Sequence, residues 1–312
     1  MKLWLVATLS LGLVACGDDG SNGTAVNTGD EDGPGNGDGD SAEDSALLHD
    51  WLVPGHAKET RVEQVIGNQL DETLQDLAGD GYVVTAAVTN DAGYTLFAAR
   101  DKGSVLRFET QVEQVVGSDL DSTLTTMGED GFAITAALTN SAGYTLLGYK
   151  VRGSADTYEA RVEQVIGSQL DDTLSDLGAG GFVLSAAMYN SAGYTLVGTH
   201  LKGDSTEFDG MVDQVIGSDL DDTLDGFSSM GFAHVGAITN DAGYTLFAQR
   251  ASGRTQTFAT LVDQVVGPDL EDTTASLGSA GYALTAAVYN SAGYTVFALA
   301  SEGAKPPASS SP

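Results

Sequence analysis

A single cysteine, Cys16, stands in this chain of 312 residues. That count excludes an intrachain disulfide framework, a cysteine zinc site and thiol chemistry elsewhere in the chain. Basic residues are almost as scarce. Thirteen Lys and Arg face forty-four Asp and Glu, for a formal charge of −31. Phosphate binding needs a basic surface, so nucleic acid is excluded as a partner and an anionic membrane surface is disfavoured. No apolar run is long enough to cross a bilayer as a helix. Only four His occur, His49, His56, His200 and His234. None recurs at a fixed spacing, and His234 sits where other copies of the same segment carry Val, Ile or Leu. A core role is therefore expected for it. No nucleophile–base pair and no glycine-rich phosphate loop can be assembled, so no catalytic residue, cofactor or enzyme activity is expected.

What is present begins with MKLWLVATLSLGLVAC, a basic start followed by a short apolar run. This reads as a signal peptide over 1–15. Leu13-Val14-Ala15-Cys16 resembles the lipobox of bacterial lipoproteins. That resemblance implies that Cys16 becomes the mature N-terminus and the lipid attachment site, and that the membrane is engaged through this lipid. Residues 16–50 follow as a tether. Gly17–Asp50 holds ten acidic residues and no Lys or Arg. It is expected to be disordered, because it cannot bury enough apolar surface to offset its ordering entropy. Gly17 after the Cys resembles an outer-membrane-sorted sequence, placing the protein in the envelope, periplasmic or surface-exposed. A tail, 304–312, ends the chain.

Between tether and tail lies one repeat of fifty residues, five times over without insertion: 51–103, 104–153, 154–203, 204–253 and 254–303. The positions of Val62, Gln64, Val65, Gly67, Leu70, Thr73, Gly81, Ala87, Asn90, Ala92, Gly93, Tyr94 and Thr95 are identical in every copy. Each copy opens on a segment such as Tyr158–Ile166, whose β-branched residues favour a strand although its spacing also fits a helical face. Ser118-Asp119-Leu120-Asp121 resembles a capping box, and Leu120, Leu124 and Met127 share one side of the helix it would start. Pro268 suits the same start in the fifth copy. Gly131–Tyr149 then reads as a hairpin. Phe132, Ile134, Ala136 and Leu138 should form a large apolar face toward the helix, and Ala133, Thr135, Ala137 and Thr139 a small face partly covered by a neighbour. Asn140-Ser141-Ala142-Gly143 supplies its turn. The fold class expected is α+β: five tandem βαββ modules, each an antiparallel sheet with one helix on it, in a compact array or ring.

Leu177-Gly178-Ala179-Gly180-Gly181-Phe182-Val183-Leu184, with Gly193-Tyr194-Thr195-Leu196, resembles the small bacterial βαββ domain of unknown function. The core of that family reads helix-L-G-x-x-G-W-E-L-V, then Y-L-hydrophobic-K/R. Here Phe or Tyr stands for the Trp, and the Glu after it is lacking. The resemblance implies a strand for the first element and one helix over three antiparallel strands. It implies no activity.

Ser218-Asp219-Leu220-Asp221-Asp222 lacks the spacing and glycine of an EF-hand loop, so no metal site is expected. The repeated Gln and Tyr have no structural role that the sequence alone dictates. The speculative ligand-binding set is therefore Gln64, Tyr94, Gln114, Tyr144, Gln164, Tyr194, Gln214, Tyr244, Gln264 and Tyr294, with multivalency amplifying weak sites. The function expected is that of a lipid-anchored, non-enzymatic spacer or multivalent surface for an envelope protein or glycan. The alternative is a lectin-like protein with one weak site per repeat.

Overall fold

The computed structural model describes residues 55–254 and 256–304. The signal peptide, Cys16, the tether and the residues beyond 304 lie outside them. Each module is strand, helix, strand, strand. The first comprises β1 (Lys58–Val65), α1 (Leu70–Gly79), β2 (Val83–Asn90) and β3 (Gly93–Asp101). The second comprises β4 (Phe108–Val115), α2 (Leu120–Glu129), β5 (Ala133–Asn140) and β6 (Gly143–Val151). The third comprises β7 (Tyr158–Val165), α3 (Leu170–Ala179), β8 (Val183–Asn190) and β9 (Gly193–Leu201). The fourth comprises β10 (Phe208–Val215), α4 (Leu220–Ser229), β11 (Ala233–Asn240) and β12 (Gly243–Ala251). The fifth comprises β13 (Phe258–Val265), α5 (Leu270–Ser279), β14 (Ala283–Asn290) and β15 (Gly293–Ser301). The ambiguous first element is a strand in every copy.

Each module holds one antiparallel sheet, with the last strand in the middle: β1-β3-β2 and its four counterparts. The modules close into a ring. Helix α1 packs on β4 of the next module, α2 on β7, α3 on β10 and α4 on β13, and α5 returns to β1. Strands β2, β5, β8, β11 and β14 pack successively on one another around the axis, β14 returning to β2. Each core therefore lies between two sheets. Leu70, Leu74, Leu77, Tyr94 and Leu96 of module one cluster with Phe108, Leu138, Leu147 and Tyr149 of module two. No module buries its apolar surface alone, as expected of a repeat architecture.

Two local expectations fail. The capping box is not formed. Helix α2 is entered through a 3-10 turn, Gly117–Asp119, with no side-chain cap, and the Asp119 amide donates to Val116 O at 3.0 Å. This backbone bond takes the place of the serine cap, and Ser118 Oγ bonds the Asp119 carboxylate instead.

The simple two-face alternation of the hairpin also fails. Every inner strand carries a β-bulge, at Thr85, Thr135, Ser185, Val235 and Thr285. One extra residue inverts the facing of the rest of the strand. Ile134 and Ala137 pack with the module's own helix, whereas Ala136 and Leu138 pack into the preceding module's core. The large apolar face is thus divided between two neighbours, and both sides of the sheet are buried.

The closing seam between modules five and one differs at the start of its first strand. Phe108, Tyr158, Phe208 and Phe258 begin the first strands of the other modules, but Lys58 begins β1. It is buried, ion-paired with Asp101 at 3.0 Å, and donates to His56 O at 2.9 Å. Burial lowers its pKa, and Asp101 opposes that shift.

Candidate functional site

Strand pairing gives the ring two unlike faces. Val65 pairs with Tyr94 and Asn90 with Gly93, so the hairpin turns and helix entries lie at one end of every sheet. Lys58 pairs with Asp101 at the other end, where helices finish and modules connect. We call these the turn face and the linker face.

Cations collect at the linker face for a repeated reason. Arg100, Lys150 and Arg250 each donate to a carbonyl at the end of their own module's helix, Asp80 O, Asp130 O and Met230 O. The positive charge opposes the helix dipole there. The same groups lie over the Tyr82, Phe132 and Phe232 rings. His200 takes the equivalent place, with Nδ1 2.8 Å from Gly181 O.

The turn face has no such charges. Residues 64–73 and 88–95, with their counterparts, contain no Lys or Arg and fourteen carboxylates. Five aliphatic side chains, Ile66, Val116, Ile166, Ile216 and Val266, stand 52–59 % exposed where the first strands end.

On this face four of the five repeated Gln meet a Tyr across a module boundary, Gln264 being the one that does not bond its counterpart Tyr244. The Tyr94 hydroxyl, carried by module one, lies 3.2 Å from Thr145 Oγ1 of module two. It accepts from Asn140 Nδ2 at 3.1 Å and from Gln114 Nε2 at 3.4 Å. Tyr144 meets Thr195, Asn190 and Gln164 in the same way, and Tyr194 meets Thr245, Asn240 and Gln214. Tyr244 meets Thr295 and Asn290. Tyr294 completes the circle with Gln64 at 3.2 Å, Asn90 at 2.9 Å and Thr95 at 3.0 Å. The Thr residues are buried, and a buried hydroxyl without a partner would cost about 1–3 kcal/mol. This inter-module latch explains why Gln, Asn, Tyr and Thr recur together.

The turns rest on the same residues. Asn140 Oδ1 accepts from Ala142 N at 2.8 Å, and Gly143 has φ +129°. A Cβ on Gly143 would lie 2.3 Å from Val115 O, so two requirements select glycine there.

A groove lies between the turns of modules five and one. It has a volume of about 440 Å³, lined by Gln64, Asn90, Asp91, Val266, Tyr289 and Tyr294 among others. Tyr289 is 43 % exposed and leans on Tyr294, ring centroids 4.9 Å apart. Tyr189 is 45 % exposed and lies equally far from Tyr194. Sequence reasoning singled out the identical residues and so passed over Tyr189 and Tyr289. Their signal was the opposite one, variation at a position that is Thr in the other three copies.

A second, smaller cavity of about 60 Å³ lies on the axis. It is lined by Thr85, Thr135, Ser185 and Thr285 with the alanines beside them. His234 is buried near it, stacked on Phe297 at 4.9 Å and bonded through Nδ1 to Thr285 Oγ1 at 3.0 Å. Burial pulls its pKa down to about 3, against a bond with the Gly236 backbone, so the ring is neutral. Among the described residues, no group of three or more His, Cys, Asp or Glu converges as a metal set, and no helix is long and apolar enough to cross a membrane. No protein-family model matches the chain, and no curated protein or solved structure does either.

Proposed function

We propose that this is a lipid-anchored envelope protein that acts without catalysis, holding a five-module ring away from the membrane and presenting its turn face as a multivalent interaction surface. One observation carries the reading. The described chain enters and leaves at the same end of the ring: Gly55 N donates to Gly281 O at 3.2 Å, and a Cβ on Gly55 would lie 3.0 Å from Ser301 Oγ. The N-terminal segment therefore joins the ring at the linker face, which keeps its point of attachment off the turn face with its exposed aliphatics. The chemistry at hand also suits display. The repeated Tyr, Asn and Thr and four of the five Gln are engaged in joining modules, and His234 is packed and neutral.

The experiment is Cys16→Ser followed by membrane fractionation. Release of the protein into the soluble fraction is the expected result; retention in the membrane would sink the anchored reading. A second reading, lectin-like binding at the junctions, draws on the groove beside Tyr289. Glycan binding lost on Tyr289→Thr, in a protein that still folds, would favour it.

A further inference from the structure

The five junctions are not equivalent. The residue before the turn asparagine is Thr89, Thr139, Tyr189, Thr239 and Tyr289, in module order, and the residue after it is Asp91, Ser141, Ser191, Asp241 and Ser291. In the groove between modules five and one, Tyr289 comes from one module and Asp91 from the next, and the Asn–Tyr latches set the other modules side by side in the same order. The three remaining Thr positions therefore meet Ser141, Ser191 and Ser291. Tyr189 of module three leans on Tyr194, and Asn240 of the module-four turn, next to Asp241, donates to the Tyr194 hydroxyl. Tyrosine and aspartate coincide at two junctions and are both absent from the other three. The Asn–Tyr latch is also shortest at these two, 2.9 Å for Asn240–Tyr194 and for Asn90–Tyr294, against 3.1, 3.4 and 3.3 Å elsewhere.

We infer that the junctions between modules three and four and between modules five and one are two binding sites for cationic side chains, Arg or Lys, on a basic segment of a partner protein. The amides in the groove are already engaged. Asn90 Nδ2 and Gln64 Nε2 donate to the Tyr294 hydroxyl, and Asn90 Oδ1 accepts from Ala92 N. Open in the groove are the exposed Tyr289 ring and the exposed Asp91 carboxylate, a π face and a charged acceptor lining one cavity. A sugar could use the same ring and carboxylate but has no positive charge to set against the carboxylate. A guanidinium or ammonium needs only the two groups that are open, stacking on the ring and donating to the carboxylate. No Lys or Arg of residues 64–73, 88–95 or their counterparts competes for either, and the chain's charge of −31 favours approach of a basic segment. Two sites on one ring suit a partner with two basic segments, or a repeated one.

This names the partner of the display surface, and it is tested in solution, so its failure leaves the Cys16 fractionation result untouched. The full chain is titrated calorimetrically with a capped tetra-arginine peptide, then with a capped tetra-glutamate peptide and a neutral pentasaccharide. Two tetra-arginine sites per chain are expected, and none for the others. Tyr289→Thr and Tyr189→Thr install the residue of the other modules, and each should remove one site. Asp91→Ser and Asp241→Ser should each weaken one site about threefold. Asp76→Asn with Asp176→Asn removes as much charge from exposed helix positions as the two groove aspartates together, and should leave both sites intact. Thr139→Tyr with Ser191→Asp should create a third. Equal weakening by the helix pair and the groove variants would reduce the effect to diffuse charge and overturn the proposal. So would pentasaccharide binding lost with the tyrosines, or peptide binding indifferent to them.

Discussion

The Tyr294 hydroxyl accepts a hydrogen bond from Asn90 Nδ2 at 2.9 Å, across 204 residues of chain. The same pair occurs 46 residues apart at the other four junctions, as in Asn140 and Tyr94 at 3.1 Å. One contact therefore serves both to join neighbours and to close the ring.

Tyr294→Phe should destabilise the protein by about 1–3 kcal/mol, because Thr95, Asn90 and Gln64 lose a shared partner while the ring still fits. Tyr144→Phe should cost a similar amount. Denaturant unfolding of both variants checks this. A much smaller loss for Tyr294 would mean that the closing junction contributes less than the others.

Gly143→Ala should cost at least about 2 kcal/mol. The backbone at φ +129° disfavours any side chain, and the new Cβ meets the Val115 carbonyl. Gly153→Ala tests the two causes separately. It has φ +83° but no neighbour within 4 Å, so it should cost less. Thermal unfolding ranks the two.

His234 makes stability depend on pH with a definite sign. Its folded pKa, about 3, lies below the ordinary value of 6.5. The contribution is fully present above about pH 6.5. It is lost as pH falls toward 3, at up to about 1.4 kcal/mol per pH unit, because only the unfolded chain takes up the proton. His234→Leu, the residue at Leu184 and Leu284, should flatten that part of the curve. The stability difference between the two proteins, measured at pH 7 and pH 4.5, should favour the variant more at the lower pH.

A circular permutant, with 304 joined to 55 by a short linker and the chain opened after Gly203, should fold to the same ring. The ends to be joined lie side by side, and the new ends fall in an exposed linker. Circular dichroism and a native-like Tm would bear it out. A chain lacking one whole module should not reach that Tm, because four modules leave one sheet and one helix without the surface they pack on.

The modules were largely legible in the sequence. Leu120, Leu124 and Met127 at helical spacing, glycines at fixed places and the turn Asn140-Ser141-Ala142-Gly143 are local signals, and local geometry enforces each of them. The bulge at Thr135 was not legible, because an extra residue in a strand leaves no mark on an alternating pattern whose small residues tolerate either face. Nor was the partner of Tyr94. Five identical copies state that a polar residue is required, but each latch spans a boundary that the repeat by itself does not define.

By itself, then, the sequence determined the βαββ unit, its fifty-residue period and its turn chemistry, since these depend on residues close along the chain. The tertiary structure decided three further things: that α5 returns to β1, that Gln64 and Tyr294 serve one junction, and that Tyr289 shares a groove with Asp91. These depend on the angle between successive modules. That angle is set by packing two buried sheet faces around one helix, and only with five modules in place does it bring the last against the first.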